Sequence, residues 1–531
     1  MPVSPVLPEI VLLDERLTTP DDGGAWPSFE PQVLAVPVAP APEGEDEVQP
    51  RGGGAETAAL YGIDLMHEAE RQELTGKAGT TAVVHLPRVL PGVAAVPWAA
   101  LPPTVVLLGI GDGGPRALRR AGLALGRATA GLGTAVTTAG EGLDDAGLRA
   151  LVEGFLLASY RMPRTGRTKV PGRPAAERLV LLGAADRAAV VAAARAGARA
   201  TLLTRLLAAT PSSTKTPTWL AAQAGELVAA AAPGAGTLAV DVHDETWLRT
   251  HGMGGILAVG GGSATPLRLV TITWTPARTT AATRTIALVG KGITFDTGGI
   301  SLKPRAAMVP MKTDMAGAAT VLATVLAAAE LGLAHRVVAV LPLAENAMGG
   351  GSYRPGDVVR VFDGTTVEVS NTDAEGRMVL ADALGWAVSA LGPDVVIDIA
   401  TLTGAAANGL GRGHGALFAT DDRLAGALLA AGEDADEPAW HMPLVADYRA
   451  ALDSDIADIA DVAHSSTDGH VGAGSITAAL FLERFAGAVP WAHLDIAGPG
   501  RTGGKQGELP AAAPTGYGAR LLLRYLETLG S

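Results

Sequence analysis

The 531-residue chain contains no cysteine. Disulfides, thiolate zinc sites and cysteine nucleophiles are therefore excluded, and any metal site must use oxygen and nitrogen ligands. Positive charge is in deficit, with 41 Lys and Arg against 54 Asp and Glu, a formal net charge of −13. That balance disfavours a general nucleic-acid binder, whose affinity rests on neutralising phosphates. No stretch approaches about 20 uncharged apolar residues free of helix breakers, so no transmembrane helix and no membrane partner are expected. The amino terminus has no basic start, and Glu9, Asp14 and Glu15 interrupt its short apolar run. It does not read as a signal peptide, and a cytoplasmic location is the expectation. Neither H-E-x-x-H nor G-x-S-x-G occurs, so a helical zinc-peptidase motif and a serine nucleophile elbow both lack support. His464 and His470 bracket a polar loop, but their spacing is not that of a usual ligand pair. Aromatics are scarce at 4% while glycine reaches 68 residues, a compositional bias of the source with little functional content.

What is present reads as globular. Hydrophobic residues make up 48% and charged residues 18%, which argues against broad disorder. The length suggests about two to four domains. Residues 1–30 are rich in proline and acid and read as an N-terminal extension. Strands are expected at 32–38, 81–86, 104–109, 134–138 and 179–183. Helices are expected at 60–74, 115–130, 146–160 and 187–209. This alternation makes 31–195 a small α/β domain, with 196–210 a linker helix. The basic loop 161–173 reads as a solvated surface or a subunit contact rather than a site for an anionic partner. Between a strand and a helix, Gly109-Ile110-Gly111-Asp112-Gly113-Gly114 fits the G-x-G-x-x-G of dinucleotide sites. The next strand ends in Thr137-Thr138-Ala139-Gly140, with no acid to hold a ribose, so a tight βα turn is the better reading. A Pro/Thr/Ser-rich stretch at 210–217 marks a domain boundary, with Thr216 capping a helix that opens at Pro217. Beyond it, strands at 237–242, 271–275, 285–289, 336–341 and 395–399 and helices at 316–331 and 379–390 predict a second, larger α/β domain over 211–531. Its sheet should be buried on both faces.

The chemistry gathers in two stretches of that second domain. One is Asn371-Thr372-Asp373-Ala374-Glu375-Gly376-Arg377. The other runs from Lys291 through Asp296 and paired glycines to Lys303, with Asp314 shortly after. Lys291, Asp296, Asp314, Asp373 and Glu375 suit a pair of hard or borderline divalent cations, because carboxylates are oxygen donors that can bridge two metals. In an extended segment Asp373 and Glu375 project to one side. Lysine ligates only as the neutral amine, which nearby dications would favour. Lys303 and Arg377 would supply fixed positive charge beside the metals. Each acid alone is weak support, since a lone loop carboxylate is usually solvated.

These stretches resemble the leucyl aminopeptidases, two-metal enzymes of the cytosolic leucine aminopeptidase type. The likeness continues through Met311-Lys312-Thr313-Asp314-Met315-Ala316-Gly317, Tyr353-Arg354-Pro355-Gly356-Asp357, Asp398-Ile399-Ala400-Thr401-Leu402-Thr403-Gly404-Ala405 and Trp491-Ala492-His493-Leu494-Asp495-Ile496-Ala497-Gly498. It is clear over 211–531 and weak over 31–200. The resemblance implies two α/β domains, the larger catalytic one with a central mixed sheet flanked by helices. It implies that Lys291, Asp296, Asp314 and Glu375 hold one metal, and that Asp296, Asp373 and Glu375 hold the other. The ions would be Zn2+ or Mn2+. Lys303 would stabilise the oxyanion, Arg377 would hold a bicarbonate that relays the proton, and Leu402, Thr403 and Gly404 would line the pocket. The activity implied is release of N-terminal, leucine-like residues from peptides with a free amino terminus, through a bridging water activated by two metals, in a homohexamer. Ala316 stands where the family pattern leads one to expect glycine or cysteine, and residues 1–30 have no counterpart in it. Two rival readings are a non-enzymatic binding protein on the same scaffold and a nucleotide-dependent oxidoreductase using Gly109–Gly114. The oxidoreductase reading requires a thermal shift on adding NAD; none is expected, and a clear stabilisation would revive it.

Overall fold

The computed structural model describes residues 4–17, 30–45, 47–88, 96, 98–163, 173–463, 472–506 and 509–530. The loop 164–172 and the His464–His470 loop of the sequence reading lie outside these residues. Contacts divide the chain into two units, Pro5–Ala198 and Arg199–Ser531, with the boundary inside one long helix, Ala188–Ala209.

The first unit is a seven-stranded sheet with helices. Its strands are β1 (Glu9–Leu12), β2 (Val33–Ala39), β3 (Gln49–Pro50), β4 (Thr81–His85), β5 (Thr104–Gly109), β6 (Thr134–Thr137) and β7 (Arg178–Leu181). Their order is β1-β7-β6-β2-β5-β4, with β3 on β2. The helices are α1 (Gly54–Tyr61), α2 (Leu65–Arg71), α3 (Pro115–Ala128), α4 (Asp145–Leu157) and α5 (Ala188–Ala209). Two expectations change. Part of the presumed extension is an edge strand: Glu9–Leu12 pairs in parallel with Arg178–Leu181, and Arg178 Nε donates to Glu9 Oε2 at 2.7 Å. A four-residue apolar run is too short to announce itself, yet a sheet edge can satisfy its backbone groups. The single helix expected at 60–74 breaks in two, because Asp64 caps a new start by accepting from Met66 N and His67 N.

The glycine-rich turn between β5 and α3 is closed. Gly111 N donates to Gly76 O, Gly113 N to Ile110 O, and Gly114 N to Asp112 Oδ1. The amides that would cradle a pyrophosphate are already used, and the Asp112 carboxylate would repel one. The tight-turn reading holds.

The second unit contains α6 (Pro217–Ala230), β8 (Gly236–His243), α7 (Glu245–Thr250), α8 (Gly254–Gly260), β9 (Arg268–Pro276), β10 (Thr285–Gly290), β11 (Gly292–Asp296), α9 (Arg305–Met308), α10 (Ala316–Leu331) and β12 (Arg336–Asn346). There follow β13 (Val358–Arg360), β14 (Thr366–Glu368), α11 (Glu375–Leu391), β15 (Val395–Ala400), α12 (Gly404–Leu410), β16 (Gly415–Ala419), α13 (Asp422–Ala435), β17 (Ala439–His441), β18 (Ile459–Ala460), α14 (Gly474–Glu483), β19 (Trp491–Asp495) and α15 (Ala519–Thr528). As expected, Thr216 caps α6, its side chain accepting from Trp219 N.

The main sheet runs β17-β16-β19-β15-β10-β12-β9-β8, with β11 on β12. Its centre is parallel, β10 with both β12 and β15, and β15 with β19, whereas β9 pairs antiparallel with both β12 and β8, and β16 antiparallel with β19 but parallel with β17. The central strands are largely apolar and buried on both faces, as parallel sheets require, with Asp398 on β15 and His493 and Asp495 on β19 as buried polar exceptions. Ala287, Val289, Val338 and Val340 pack with Met378–Ala387 of α11. Helix α10 also packs on β10 and β12 but is absent from that cluster, so it covers the opposite face. The helical run Arg305–Leu331 is apolar enough, by length and composition alone, to cross a membrane, contrary to expectation. Of the 18-residue apolar stretch within it, 83% is buried inside the protein, the environment of an Ala/Val/Leu core helix. The Ala316 departure falls at the first position of α10, where the alanine is buried.

Asp382, fully buried on α11, ties that helix to the start of α8 and to the loop after β13: Ile256 N donates to its Oδ2 and Phe362 N to its Oδ1, both at 2.8 Å. Asp382→Ala strands two buried amides and should cost about 2–4 kcal/mol. The readout is the thermal midpoint of the metal-free protein; no change there would deny Asp382 this anchoring role.

Candidate metal centre

Parallel strands deliver their following loops to one edge of the sheet, the usual place for a site in an open α/β fold. Lys291 follows β10, Asp296 ends β11, Asn346 ends β12 and Thr401 follows β15. Asp314 lies just before α10, and Glu375 is the first residue of α11. The positive end of the α11 dipole therefore faces the Glu375 carboxylate.

The side chains converge. Asp296, Asp314 and Glu375 are buried, and each offers an oxygen within 4.8 Å of the others. Lys291 Nζ lies 2.8 Å from Asp314 Oδ2 and 2.7 Å from Glu375 Oε1, and donates to Thr401 O at 3.0 Å. Lys303 Nζ lies 2.8 Å from Asp296 Oδ2 and also pairs with Asp373 Oδ1. Asp373 is thus outside the three-carboxylate group but joined to it through Lys303. Gly376 makes the Lys291 position possible, because a Cβ there would sit 2.6 Å from Lys291 Cε.

Four carboxylates here face two ammonium groups, leaving two negative charges uncompensated if all ionise. Burial, then Asp296, pushes Glu375 up to about 8. Burial likewise raises Asp314, and burial and Asp296 raise Asp373. Burial opposes the charge on Lys291, but Asp314 and Glu375 outweigh it and hold the ammonium above the usual lysine range. Lys303 is raised in the same way, chiefly by Asp296 against burial. Glu375 Oε2 is buried without a hydrogen-bond partner. A carboxylate cluster with surplus charge and an orphaned buried oxygen fits a site for hard divalent cations.

Arg377 lies one helical half-turn beyond Glu375, buried, and donates through Nη1 to Asp461 O at 2.6 Å. Its Nε has no partner, and burial lowers its pKa. Leu402 N and Thr403 N donate to the two oxygens of Asp495, at 3.2 and 3.0 Å, and Thr403 Oγ1 donates at 2.6 Å. Gly404 then opens α12. The segment is fixed on its other side by Thr401, whose Oγ1 donates to Asp314 Oδ1 at 2.7 Å. All ten residues singled out from sequence therefore gather on this edge of the sheet.

Four supporting residues escaped the sequence reading: Asn346, Thr401, Asp461 and Asp495. Thr401 and Asp495 lie inside stretches already noted, but nothing in their spacing shows what they bond. His493 is buried, with Nδ1 at 2.5 Å from Asp398 Oδ1.

Comparison with known proteins agrees with this geometry. The profile described as the cytosol aminopeptidase family, catalytic domain, matches residues 202–523. A probable cytosol aminopeptidase of Leifsonia xyli is 43% identical over 394 residues, covering 72% of this chain and 77% of that protein. Another, from Azotobacter vinelandii, is 40% identical over 516 residues, covering 94% and 98%. Among solved structures, the bottromycin maturation enzyme BotP in complex with Mn superposes with a TM-score of 0.76 at 37% identity, covering 94% of this chain and 99% of that one. Nothing in the site or the comparisons favours a non-enzymatic binding protein. With its buried carboxylate–lysine cluster and these relatives, the chain belongs to the cytosol aminopeptidase family and is a metal-dependent aminopeptidase acting on peptides.

Proposed function

We propose that Lys291, Asp296, Asp314, Asp373 and Glu375 hold two divalent cations, Zn2+ or Mn2+, in a catalytic domain spanning 211–531. The N-terminal α/β domain would occupy 31–195 together with the edge strand Glu9–Leu12 from the stretch first read as an extension, with 196–210 the linker helix. The observation that carries the reading is the buried meeting of Asp296, Asp314 and Glu375 around an otherwise excess negative charge. The Mn in the complex with BotP supports manganese among the candidate metals.

When bound, two such cations would polarise a scissile carbonyl and lower the pKa of water to near neutrality. The chain's own residues do the rest. Lys291 would be held among the ligands as its neutral amine, the proton it shares with Asp314 and Glu375 having been released to solvent. Lys303, between Asp296 and Asp373, would stabilise negative charge as it develops on the carbonyl oxygen. Arg377 is too basic to accept a proton itself. Its buried guanidinium, with Nε unpartnered, would hold a small anion such as bicarbonate to relay one. Leu402, Thr403 and Gly404, held by Asp495, would line the pocket and orient the peptide. The substrates would be peptides with a free amino terminus and a leucine-like first residue, cleaved in the cytoplasm by a homohexamer.

Metal-stripped protein should regain hydrolysis of leucine p-nitroanilide on addition of Zn2+, Mn2+ or Co2+, near two ions per chain, and should not cleave the N-acetylated analogue. Cleavage of the blocked substrate would sink the exopeptidase reading. Glu375→Ala should abolish turnover, and near-normal turnover with full metal content would overturn the ligand assignment. Lys303→Ala should keep its metal but lose roughly 10²–10³-fold in kcat, the scale of one oxyanion donor. Metal loss in that variant would show Lys303 to be needed for binding instead.

A further inference from the structure

We infer that Asn346 is a positioning residue of the metal centre, holding Asp296 in its ligating orientation and pinning it to the turn that carries Asp373 and Glu375. This rests on the reading that those carboxylates are ligands.

The geometry is specific. Asn346 is the last residue of β12, paired in register with Asp296 at the end of β11. It is completely buried. One nitrogen, Nδ2, reaches two acceptors from different segments: Asp296 Oδ1 at 2.9 Å and Thr372 O at 3.0 Å. Thr372 immediately precedes Asp373. Sheet pairing brings Asn346 beside Asp296, and its side chain ties both to the 372–375 turn by uncharged bonds, separate from the Lys303 bridge between Asp296 and Asp373. The neighbouring backbone reinforces the arrangement, since Thr297 N and Thr297 Oγ1 both donate to Asn346 O at 3.0 Å.

These bonds also divide the labour of the Asp296 carboxylate. Its Oδ1 accepts from Asn346 and from Gly298 N, at 2.8 Å. Its Oδ2 meets only Lys303 Nζ among those contacts. The donors to Oδ1 fix the plane of the carboxylate and leave Oδ2 turned to the charged cluster. Donors that orient a ligand's free atom are what hold first ligands in place at metal sites generally.

The orientation of the amide is forced. Asn346 Oδ1 is buried with no hydrogen-bond partner. Reversing the amide would set that oxygen against Asp296 Oδ1 and Thr372 O, two acceptors, so the present direction is the only workable one. A buried orphan acceptor is costly and uncommon. The two bonds donated by Nδ2 offset that cost.

Tyr353 provides an internal control. Its hydroxyl donates to the same Thr372 O at 2.9 Å, also from a buried position, but makes no bond to Asp296. Losing Tyr353 weakens the turn alone, whereas losing Asn346 releases Asp296 as well.

The test titrates Mn2+ into metal-stripped full-length protein and reads free Mn2+ by electron paramagnetic resonance, so that activity is not the readout. Asn346→Ala removes the amide, and Asn346→Leu removes it while keeping the volume in case the alanine variant does not fold. A variant with unchanged circular dichroism should bind Mn2+ about 10–100-fold more weakly, the usual loss for such second contacts. Tyr353→Phe should bind within about threefold of the unsubstituted protein. Wild-type Mn2+ affinity in Asn346→Leu would overturn the inference. So would an equal loss in Tyr353→Phe, because the effect would then run through the turn and not through Asp296. Asp296→Ala separates the two levels: if it too binds Mn2+ normally, the ligand assignment itself fails.

Discussion

A buried surplus of negative charge is the constraint on which this architecture depends. Asp296, Asp314, Asp373 and Glu375 share two ammonium groups in a region of low solvent access. Desolvation makes such a cluster unfavourable unless protons or cations neutralise it. Rigid elements must therefore hold the like charges together against their repulsion. A parallel sheet, closed on both faces by α10 and α11, supplies that rigidity.

The fold also moderates the charge it concentrates. Glu375 opens α11, where the free amides and dipole of a helix start favour a carboxylate. Asp296 ends an extended strand and takes amide protons from Gly298 and Asn346. Asp314 receives the Thr401 hydroxyl. Asp296 and Asp314 thus each have neutral donors on one oxygen and an ammonium on the other, whereas Glu375 has an ammonium on Oε1 alone. The same logic recurs one layer out, where Asp461 and Asp495 take backbone amides and fix Arg377 and the 402–404 segment around the cluster.

Legibility differed sharply between kinds of residue. Lys291, Asp296, Lys303, Asp314, Asp373, Glu375 and Arg377 could be named in advance because the short stretches that carry them resemble the motifs of a known family; their chemistry alone would not have selected these seven. Asn346 could not, although it bonds two of those segments. Asparagine is common at strand ends and turns, and 50 positions separate it from Asp296. Asp461 and Asp495 were hidden for the same reason: their partners are backbone amides about 90 residues away. In the first unit, the glycine pattern at 109–114 was ambiguous on paper. Its meaning depended on whether the turn amides were free, and Gly76 O and Asp112 Oδ1 occupy two of them. The strand Glu9–Leu12 was missed because pairing at an edge depends on a neighbour 169 residues away.

By itself, the sequence determined the chemical vocabulary: no thiolate, ample carboxylate, two α/β patterns, and helix starts such as the one Thr216 caps. Those follow from local rules, namely residue chemistry, hydrophobic period and capping. The tertiary structure alone decided which carboxylates meet, which remain charged and which amides hold them. Burial and proximity between distant segments set those properties. No local pattern encodes that Lys291 lies between Asp314 and Glu375, or that Asn346 joins Asp296 to Thr372, because those contacts exist only once the sheet has brought its strand ends together.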